Sequence, residues 1–389
     1  MIIHTVSEGD SIYSLSKQYG VPESRIVNDN FINPLKRLSI GQTILIGKPT
    51  KTYTVRGGDT IEEITKKCET DVIKLIQNNP FLLNGKTIPS QILNIDYNRS
   101  GARKLAIAAY TENATINSIE KVLPYLTFLH VQNVAKINGE EVAFFTDPKK
   151  IITLSKRFCA IPILSLNIIE ACFSIEKLTK SICESLLKHG FCGVELVFWG
   201  VSEERKKLFS DTFGALSNLC KKKELHCCCQ LLSASPELFN KENIENSNYL
   251  TIFSENFLTD DLVKKYHSKM LLTVQTFGID YGIAQKERKS ISMATEALLN
   301  GFRTIKRIEK SETPYIEYFS GNGNGGEKRV FYFEDLVSVS KKLDLIDSYN
   351  LYGVNIASLE FDFSALWQLL NQRYIIQKFC QNNVNYMPN

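Results

Sequence analysis

The sequence lacks the two features that would indicate a membrane or a nucleic acid as partner. No run of about 18 apolar residues occurs in its 389 residues, so we expect neither a membrane-spanning helix nor a membrane partner. The 46 basic and 42 acidic residues leave a net charge of +4, which is too balanced to favour a nucleic-acid partner. With 43% hydrophobic and 23% charged residues, the composition excludes a mainly disordered or collagen-like chain.

The amino terminus and the cysteines also lack familiar patterns. Residues Met1–Asp10 contain neither the basic nor the apolar stretch of a secretory signal peptide, so we expect the protein to stay inside the cell that makes it. The ten cysteines show no regular spacing and no pair of Cys-x-x-Cys motifs. The glycine-rich run 321–326 lacks the Lys-[Ser/Thr] ending of a phosphate loop, and a hairpin tip is predicted there. No cofactor is expected.

One run of possible metal ligands, 226–229, has the sequence His-Cys-Cys-Cys. Neighbouring residues on a strand point to opposite faces, so at most two of these four side chains converge from one side. A structural zinc site needs four converging ligands. The sequence therefore favours buried small side chains here and predicts no metal site; a zinc site and a disulfide role stay open as alternatives.

A repeat at an offset of 49 residues is the most informative pattern. Gly-Asp-Ser-Ile at 9–12 aligns with Gly-Asp-Thr-Ile at 58–61 without a gap, and Asn30 aligns with Asn79. Each copy has a short β-run, a turn with a helix N-cap, two helical stretches and a return strand. The pattern predicts two units of β-α-α-β order, each about 45 residues long.

These motifs resemble a LysM domain, a family that binds the GlcNAc backbone of peptidoglycan or chitin. The resemblance implies a shallow sugar groove between the first and the last loop of each unit. The first groove would comprise Gly9, Asp10, Ser11, Ile12, Asn30, Phe31 and Ile32. The second would comprise Gly58, Asp59, Thr60, Ile61, Asn79, Pro80 and Phe81. Once one groove has bound a polymer, the second groove would be held at a high effective concentration near the same chain, so two grooves in tandem would bind more tightly than one.

The residues themselves also allow a structural explanation. Asp10 and Asp59 would then cap helices, and Asn30 and Asn79 would shape turns. Both alternatives stay open at the level of the sequence.

From about Lys104 onward, short apolar β-runs alternate with helical stretches. This alternation over about 285 residues predicts a parallel sheet closed into a (β/α)8 barrel, with a hairpin inserted at 315–333. The fold class is therefore α/β, a TIM-like barrel preceded by two small domains. We place the domains at 1–48, 50–97 and 104–389.

The barrel resembles glycoside hydrolase family 18, and more narrowly the spore-cortex N-acetylglucosaminidases of endospore-forming bacteria. Gly190–Trp199 occupies the place of the strand that carries the catalytic motif DxxDxDxE in that family. In such a motif the last acid protonates the leaving oxygen, and the preceding Asp orients the acetamide of the substrate. The segments 201–205, 275–281 and 330–339 also resemble the family.

The catalytic motif itself is degenerate. Its four acidic positions are occupied by Cys192, Glu195, Val197 and Trp199. Indole cannot act as a general acid, and valine cannot orient an acetamide, so no catalytic residue is predicted. Glu195 lies four residues upstream of the usual acid, roughly 13 Å along a strand, which is too deep for the same bond. We expect its carboxylate to be paired with a Lys, an Arg or an amide.

The sequence thus predicts a non-catalytic binding protein for GlcNAc-containing glycan. Peptidoglycan is the expected partner through the LysM-like units, with spore coat proteins as further candidates. The expected setting is the developing spore, after synthesis in the mother-cell cytoplasm. The alternative is an active N-acetylglucosaminidase of cortex fragments with a displaced acid.

Overall fold

The computed structural model describes residues 1–35, 37–99, 101–168, 173–197, 203–231, 241–253, 261–282, 286–291, 305–309, 311–320 and 326–379. Within these ranges, no helix combines the length and the apolar character needed to cross a bilayer. Four parts follow one another along the chain: two small repeats, a barrel, and a sheet inserted late in the barrel.

The first repeat consists of β1 Ile2–Thr5, α1 Ile12–Tyr19, α2 Glu23–Asn30 and β2 Thr43–Ile46. The two strands pair antiparallel. Helix α1 begins after Ser11, whose hydroxyl accepts a hydrogen bond from the backbone N–H of Ser14, and it ends at Gly20 in a left-handed conformation. The cap is therefore Ser11 and not the neighbouring Asp10.

The second repeat consists of β3 Pro49–Thr54, α3 Ile61–Cys68, α4 Val72–Asn78, a short 3-10 helix Pro80–Asn84 and β4 Ile92–Tyr97. Thr60 and Glu63 form the capping box of α3, so here too the cap is not the aspartate. The predicted β-α-α-β order is confirmed in both repeats, and the second adds a 3-10 turn after its second helix.

Eight parallel strands close into a barrel, because the last of them pairs with the first. They are β5 Lys104–Tyr110, β6 Phe128–Val131, β9 Ile161–Asn167, β10 Gly193–Val197, β11 His226–Leu231, β12 Leu250–Ile252, β13 Met270–Val274 and β19 Gly353–Ile356. The predicted (β/α)8 barrel is confirmed. A small hairpin, β7 Ala135–Asn138 and β8 Glu141–Phe144, follows β6 and was not predicted.

The helices that connect the barrel strands are α5 Ile116–Val122, α6 Lys149–Arg157, α7 Ile175–His189, α8 Glu203–Lys222, α9 Lys241–Asn246, α10 Asp261–Tyr266, α11 Leu336–Ser348 and α12 Ser364–Arg373. A two-residue strand, β20 Ile375–Ile376, then pairs with the start of β5. In such a barrel the loops at the carboxyl ends of the strands form the mouth.

The insertion between β13 and α11 is a five-stranded antiparallel sheet, not the single hairpin that the sequence predicted. Its strands are β14 Phe277–Tyr281, β15 Lys286–Ser290, β16 Lys306–Arg307, β17 Pro314–Ser320 and β18 Glu327–Tyr332. The predicted hairpin is β17–β18, whose tip at 321–325 lies outside the described residues. Strand β15, Lys-Glu-Arg-Lys-Ser, has no apolar alternation and so gave no strand signal.

The repeats pack directly on the barrel. The backbone carbonyl of Gln77 accepts hydrogen bonds from the Tyr125 hydroxyl at 3.0 Å, from Gln368 Nε2 at 2.9 Å and from Asn371 Nδ2 at 3.1 Å. All of these side chains are buried, and the apolar core of the second repeat is continuous with that of the barrel. The second repeat and the barrel therefore form one folded body.

The first repeat contacts α12 through Asp29, which is buried beside Arg25 and accepts a hydrogen bond from Gln372 at 3.2 Å. Only Gly47 and Lys48 separate β2 from β3. A Cβ added to Gly47 would overlap the side-chain amide of Gln372, so this connection lies tightly against the barrel. The two repeats thus have a fixed placement relative to α12.

Burial of Asp29 makes stability depend on pH. Desolvation raises the pKa of this carboxyl from 3.8 to about 6, although Arg25 acts in the opposite direction. Its contribution to stability is therefore complete below about pH 4 and is lost as pH rises through 6. The free energy of unfolding, relative to Asp29→Asn, should fall by about 3 kcal/mol between pH 4 and 7 in urea titrations. A constant difference would contradict this.

Candidate functional site

Glu195 lies at the centre of the barrel and is fully buried. The Tyr110 hydroxyl donates a hydrogen bond to its Oε1 at 2.6 Å, and the Ser165 hydroxyl donates to its Oε2 at 2.8 Å. Gln230 Nε2 donates to Oε2 at 3.3 Å, and His130 Nδ1 lies 3.0 Å from the same oxygen. Three side chains from three other strands thus donate to the carboxylate, and the imidazole from a fourth strand lies close to it without a hydrogen bond from Nδ1.

This network continues on the far side of the imidazole. His130 Nε2 and the Tyr249 hydroxyl lie 2.8 Å apart. Burial raises the pKa of Tyr110 and of Tyr249 well above the usual value, so both phenols stay protonated and can donate. Of the expected partners of Glu195, a Lys, an Arg or an amide, the described residues supply the amide of Gln230; two hydroxyls complete its hydrogen bonds.

The cysteine run of β11 divides between two faces of the barrel wall. Cys228 packs inside the barrel with Phe128 and Tyr249, whereas Cys227 and Cys229 belong to the layer beneath the helices. All three are buried, as the sequence predicted. Burial also raises the pKa of these thiols, which disfavours reactive thiolates.

One group could hold a metal ion. Ligand atoms of His130, Glu195 and Cys228 lie within 4.8 Å of one another, and these residue types suit zinc. Each of the three side chains already has a protein partner. The imidazole contacts Tyr249, the carboxylate accepts the bonds described above, and Cys228 Sγ lies 3.5 Å from the Val194 carbonyl oxygen. In this arrangement the three side chains form a packed polar core.

The remaining positions of the degenerate motif flank Glu195. Cys192 precedes β10 and is half-buried, and burial raises the pKa of its thiol. Val197 is buried as the last residue of β10. Trp199 lies outside the described residues. Along β10, therefore, the single acid is enclosed and the residue nearest the mouth is apolar.

In the first repeat, the loop between β1 and α1 is held by its own aspartate. The Ser7 backbone N–H donates to Asp10 Oδ2 at 2.7 Å, and His4 Nε2 lies 2.9 Å from the same oxygen. The backbone hydrogen bond from Ser7 and the contact with His4 lower the pKa of Asp10. Gly9 precedes it with a φ of +86°, a conformation that favours glycine.

The equivalent loop of the second repeat has a stronger version of this arrangement. Asp59 is buried and contacts Lys67 Nζ at 2.5 Å, the Tyr53 hydroxyl at 2.6 Å and the Arg56 backbone N–H at 2.8 Å. The bond from Lys67 is the main reason why the pKa of Asp59 lies well below its usual value. Gly58 has the same left-handed conformation as its counterpart, and Thr60 and Ile61 begin α3.

The repeated asparagines hold each return strand against the second helix. Asn30 Nδ2 donates to the carbonyls of Ile26 and Leu45, and its Oδ1 accepts from the Leu45 N–H at 2.7 Å. Asn79 makes the equivalent three bonds to Leu75 and Asn94 and is fully buried. These amides are therefore occupied within the fold.

The next two residues of each repeat face a shared cavity. Phe31 and Ile32 from the first repeat, and Pro80 and Phe81 from the second, line a space of about 700 Å³ against the barrel. This volume falls within the range of about 300–1,000 Å³ that is common for ligand sites. The loop residues Gly9–Ile12 and Gly58–Ile61 do not line this space.

Comparisons with known proteins match both the first repeat and the barrel. Residues 4–47 are a LysM domain. The chain is 22% identical to a cortical fragment-lytic enzyme of Bacillus cereus, over 97% of this chain and 99% of that protein. The chain is thus similar to that enzyme over nearly its whole length.

The structural comparisons show the same arrangement. The spore cortex-lytic enzyme SleL of Bacillus cereus superimposes with a TM-score of 0.73 at 20% identity, over 97% of this chain and 99% of that one. A chitinase from Chromobacterium violaceum superimposes with a TM-score of 0.59 at 17% identity, over 69% of this chain and 98% of that one. The chain therefore combines a LysM domain with a barrel of the fold seen in family 18 chitinases.

Sequence reasoning missed most of the residues that surround Glu195. Four of them lie within the mainly apolar strands of the barrel, and Tyr249 directly precedes β12. They are Tyr110, His130, Ser165, Gln230 and Tyr249. It also missed the cavity between the LysM domain, the second repeat and the barrel, which no single segment encodes.

Proposed function

We propose that this protein binds GlcNAc-containing glycan through its LysM domain and its second repeat, and that its barrel does not hydrolyse glycan. The observation that carries the second part is the environment of Glu195. This carboxylate is the one acid that remains at the degenerate motif positions. It accepts hydrogen bonds from three side chains, lies against the His130 ring and has no exposed surface. It serves as a structural acceptor inside the barrel.

Chemistry at a glycosidic bond needs more than a carboxylate. A general acid has to reach the leaving oxygen, within hydrogen-bond distance or through one water. A second group has to stabilise or attack the sugar carbon, in the way that paired carboxylates do in many glycosidases. Val197 supplies neither function at the end of β10, and an indole at position 199 has no acidic proton to give.

The relatives support a location for this binding activity. Since cortical fragment-lytic and spore cortex-lytic enzymes match nearly the whole chain, we assign the glycan to peptidoglycan of the developing spore. We place the protein at the boundary of cortex and coat after synthesis in the mother cell. There the LysM domain would hold the chain on the glycan, and the barrel would present a surface to coat proteins.

The test uses the full chain, because the second repeat and the barrel share one core. We expect the protein to sediment with insoluble peptidoglycan. We expect it to release no reducing sugar from cortex fragments above the blank, which means at least about 100-fold less than an active family 18 chitinase. A protein that stays in the supernatant would contradict glycan binding.

The same assay tests the alternative function. Release of sugar that is abolished in Glu195→Gln would identify a displaced catalytic acid and an active glycosidase. Release of sugar that persists in this variant would place the acid elsewhere in the mouth of the barrel.

A further inference from the structure

A groove, defined here as the cavity between the LysM domain, the second repeat and the flank of the barrel, joins three parts of the chain. Its volume is about 700 Å³. The LysM domain contributes Phe31 and Ile32, the second repeat contributes Pro80 and Phe81, and the barrel contributes residues of α5, of 359–363 and of α12. The walls thus come from segments more than 300 residues apart in sequence.

The two repeats offer equivalent residues to this groove. Phe31 and Ile32 follow Asn30 as Pro80 and Phe81 follow Asn79, at the same offset of 49. Both asparagines are fixed to their return strands by the same three hydrogen bonds, but the backbone then differs, because Phe31 caps a helix in a left-handed conformation and Pro80 begins a 3-10 helix. Each repeat thus offers apolar side chains at matching positions, against which successive sugars of one polymer can pack.

The exposed groups in the groove suit a sugar. Phe31 is 50% exposed, and its φ of +52° is unusual for a bulky residue. This left-handed conformation ends helix α2, and the half-exposed ring offers an apolar surface on which a ligand can pack. Asn28, Asn84 and Asp362 also line the groove. Flat rings with a few polar side chains match a pyranose, which has an apolar face and a rim of hydroxyl and acetamide groups.

The barrel wall of the groove is rigid and leads towards the mouth. Trp367 stacks on Tyr125 with ring centroids 5.8 Å apart, and both are buried. Phe361 lies in the loop that follows β19, at the carboxyl end of the barrel, and its ring is 5.5 Å from that of Phe277. The groove therefore runs from the repeats to the edge of the barrel mouth.

We propose that this groove is a single composite site that binds one GlcNAc-containing glycan strand across both repeats and the barrel. The proposal rests on the glycan binding proposed above. It differs from two independent sites, because the last loops of both repeats share one space that a barrel wall completes. The first loops, at 9–12 and 58–61, do not reach it.

The experiment titrates the GlcNAc hexamer into the full chain by isothermal titration calorimetry. We expect a stoichiometry of one. Phe31→Ala and Phe361→Ala should each raise Kd by about tenfold, because each removes an aromatic surface from the groove. Phe361→Leu keeps an apolar side chain in the loop without the flat ring and should weaken binding similarly. Circular dichroism verifies that each variant is folded.

Two exposed aromatic residues outside the groove serve as matched controls. Tyr13→Ala in the LysM domain and Phe145→Ala on the barrel remove side chains that are 60% and 61% exposed, and both should leave Kd unchanged. A stoichiometry of two, or an unchanged Kd in folded Phe361→Leu, overturns the composite site while glycan binding stands. Absence of binding by the unaltered chain overturns glycan binding itself.

Discussion

Replacement of Glu195 by alanine is expected to lower the free energy of unfolding by about 3–5 kcal/mol. The substitution leaves the Tyr110 and Ser165 hydroxyls and the Gln230 amide without their common acceptor, in a fully buried place beside the His130 ring. Buried donors that lose their partner cost about 1–3 kcal/mol each when nothing replaces it, although such costs are not additive.

The conservative variant refines this result. In Glu195→Gln the shape of the side chain is kept, but its amide nitrogen replaces an acceptor, so a hydroxyl that now donates has to turn and accept instead. We therefore expect a smaller loss of about 2 kcal/mol, measured by urea denaturation. Glu141→Ala, at an exposed position of β8, is the control and should change stability by less than about 0.5 kcal/mol.

The two roles of Glu195 predict opposite results. A structural acceptor predicts lower stability with unchanged glycan binding. A displaced catalytic acid predicts unchanged stability together with lost hydrolysis, and that combination would contradict the structural role.

A second large effect is expected at Gly353, where β19 closes the barrel against β5. A Cβ on this residue would overlap the carbonyl oxygen of Ala106 and would lie 2.8 Å from its carbonyl carbon. A Leu271 methyl carbon, also at 2.8 Å, prevents a shift towards β13. Because backbone atoms of the barrel cannot move aside cheaply, Gly353→Ala should cost about 3 kcal/mol, at the upper end of overpacking effects.

The control for this prediction is another glycine with open space around it. A Cβ added to Gly57 would have no neighbouring atom within 4 Å, and the residue has no left-handed φ, so Gly57→Ala should be close to neutral. Thermal unfolding of both variants beside the unaltered chain provides the comparison. Equal thermal-unfolding midpoints for Gly353→Ala and the unaltered chain would contradict the prediction. They would show that the pairing of β19 with β5 accommodates a Cβ more easily than its geometry indicates.

The barrel could be predicted from the sequence because each of its strands is a short apolar run between helical stretches. Strands such as β15, Lys286–Ser290, could not be predicted, since their pairing comes from neighbours in the inserted sheet and not from their own pattern. The two β-α-α-β repeats were predictable from their offset and their caps. Caps at Asp10 and Asp59 were one of two alternatives that the sequence left open, and the structure places Ser11 and Thr60 in that role.

The candidate site was only partly predictable. The loss of acids at Cys192, Val197 and Trp199 can be read from one short segment of the sequence. The partners of Glu195 are not, because five strands that are distant in sequence meet at the barrel centre. The groove depends further on how three folded parts pack, as in the contacts of Gln77 with α12, and local patterns carry no information on such packing.

The two-residue connection between the repeats has a consequence for the thermodynamics of glycan binding. Flexible tandem modules lose conformational entropy when a polymer bridges them, and that loss reduces their affinity. Here Gly47 is already packed against Gln372, and Asp29 is bonded to the same side chain. Folding has therefore already ordered the parts of the chain that a glycan would bridge. Glycan binding would then cause little further loss of conformational entropy in the protein.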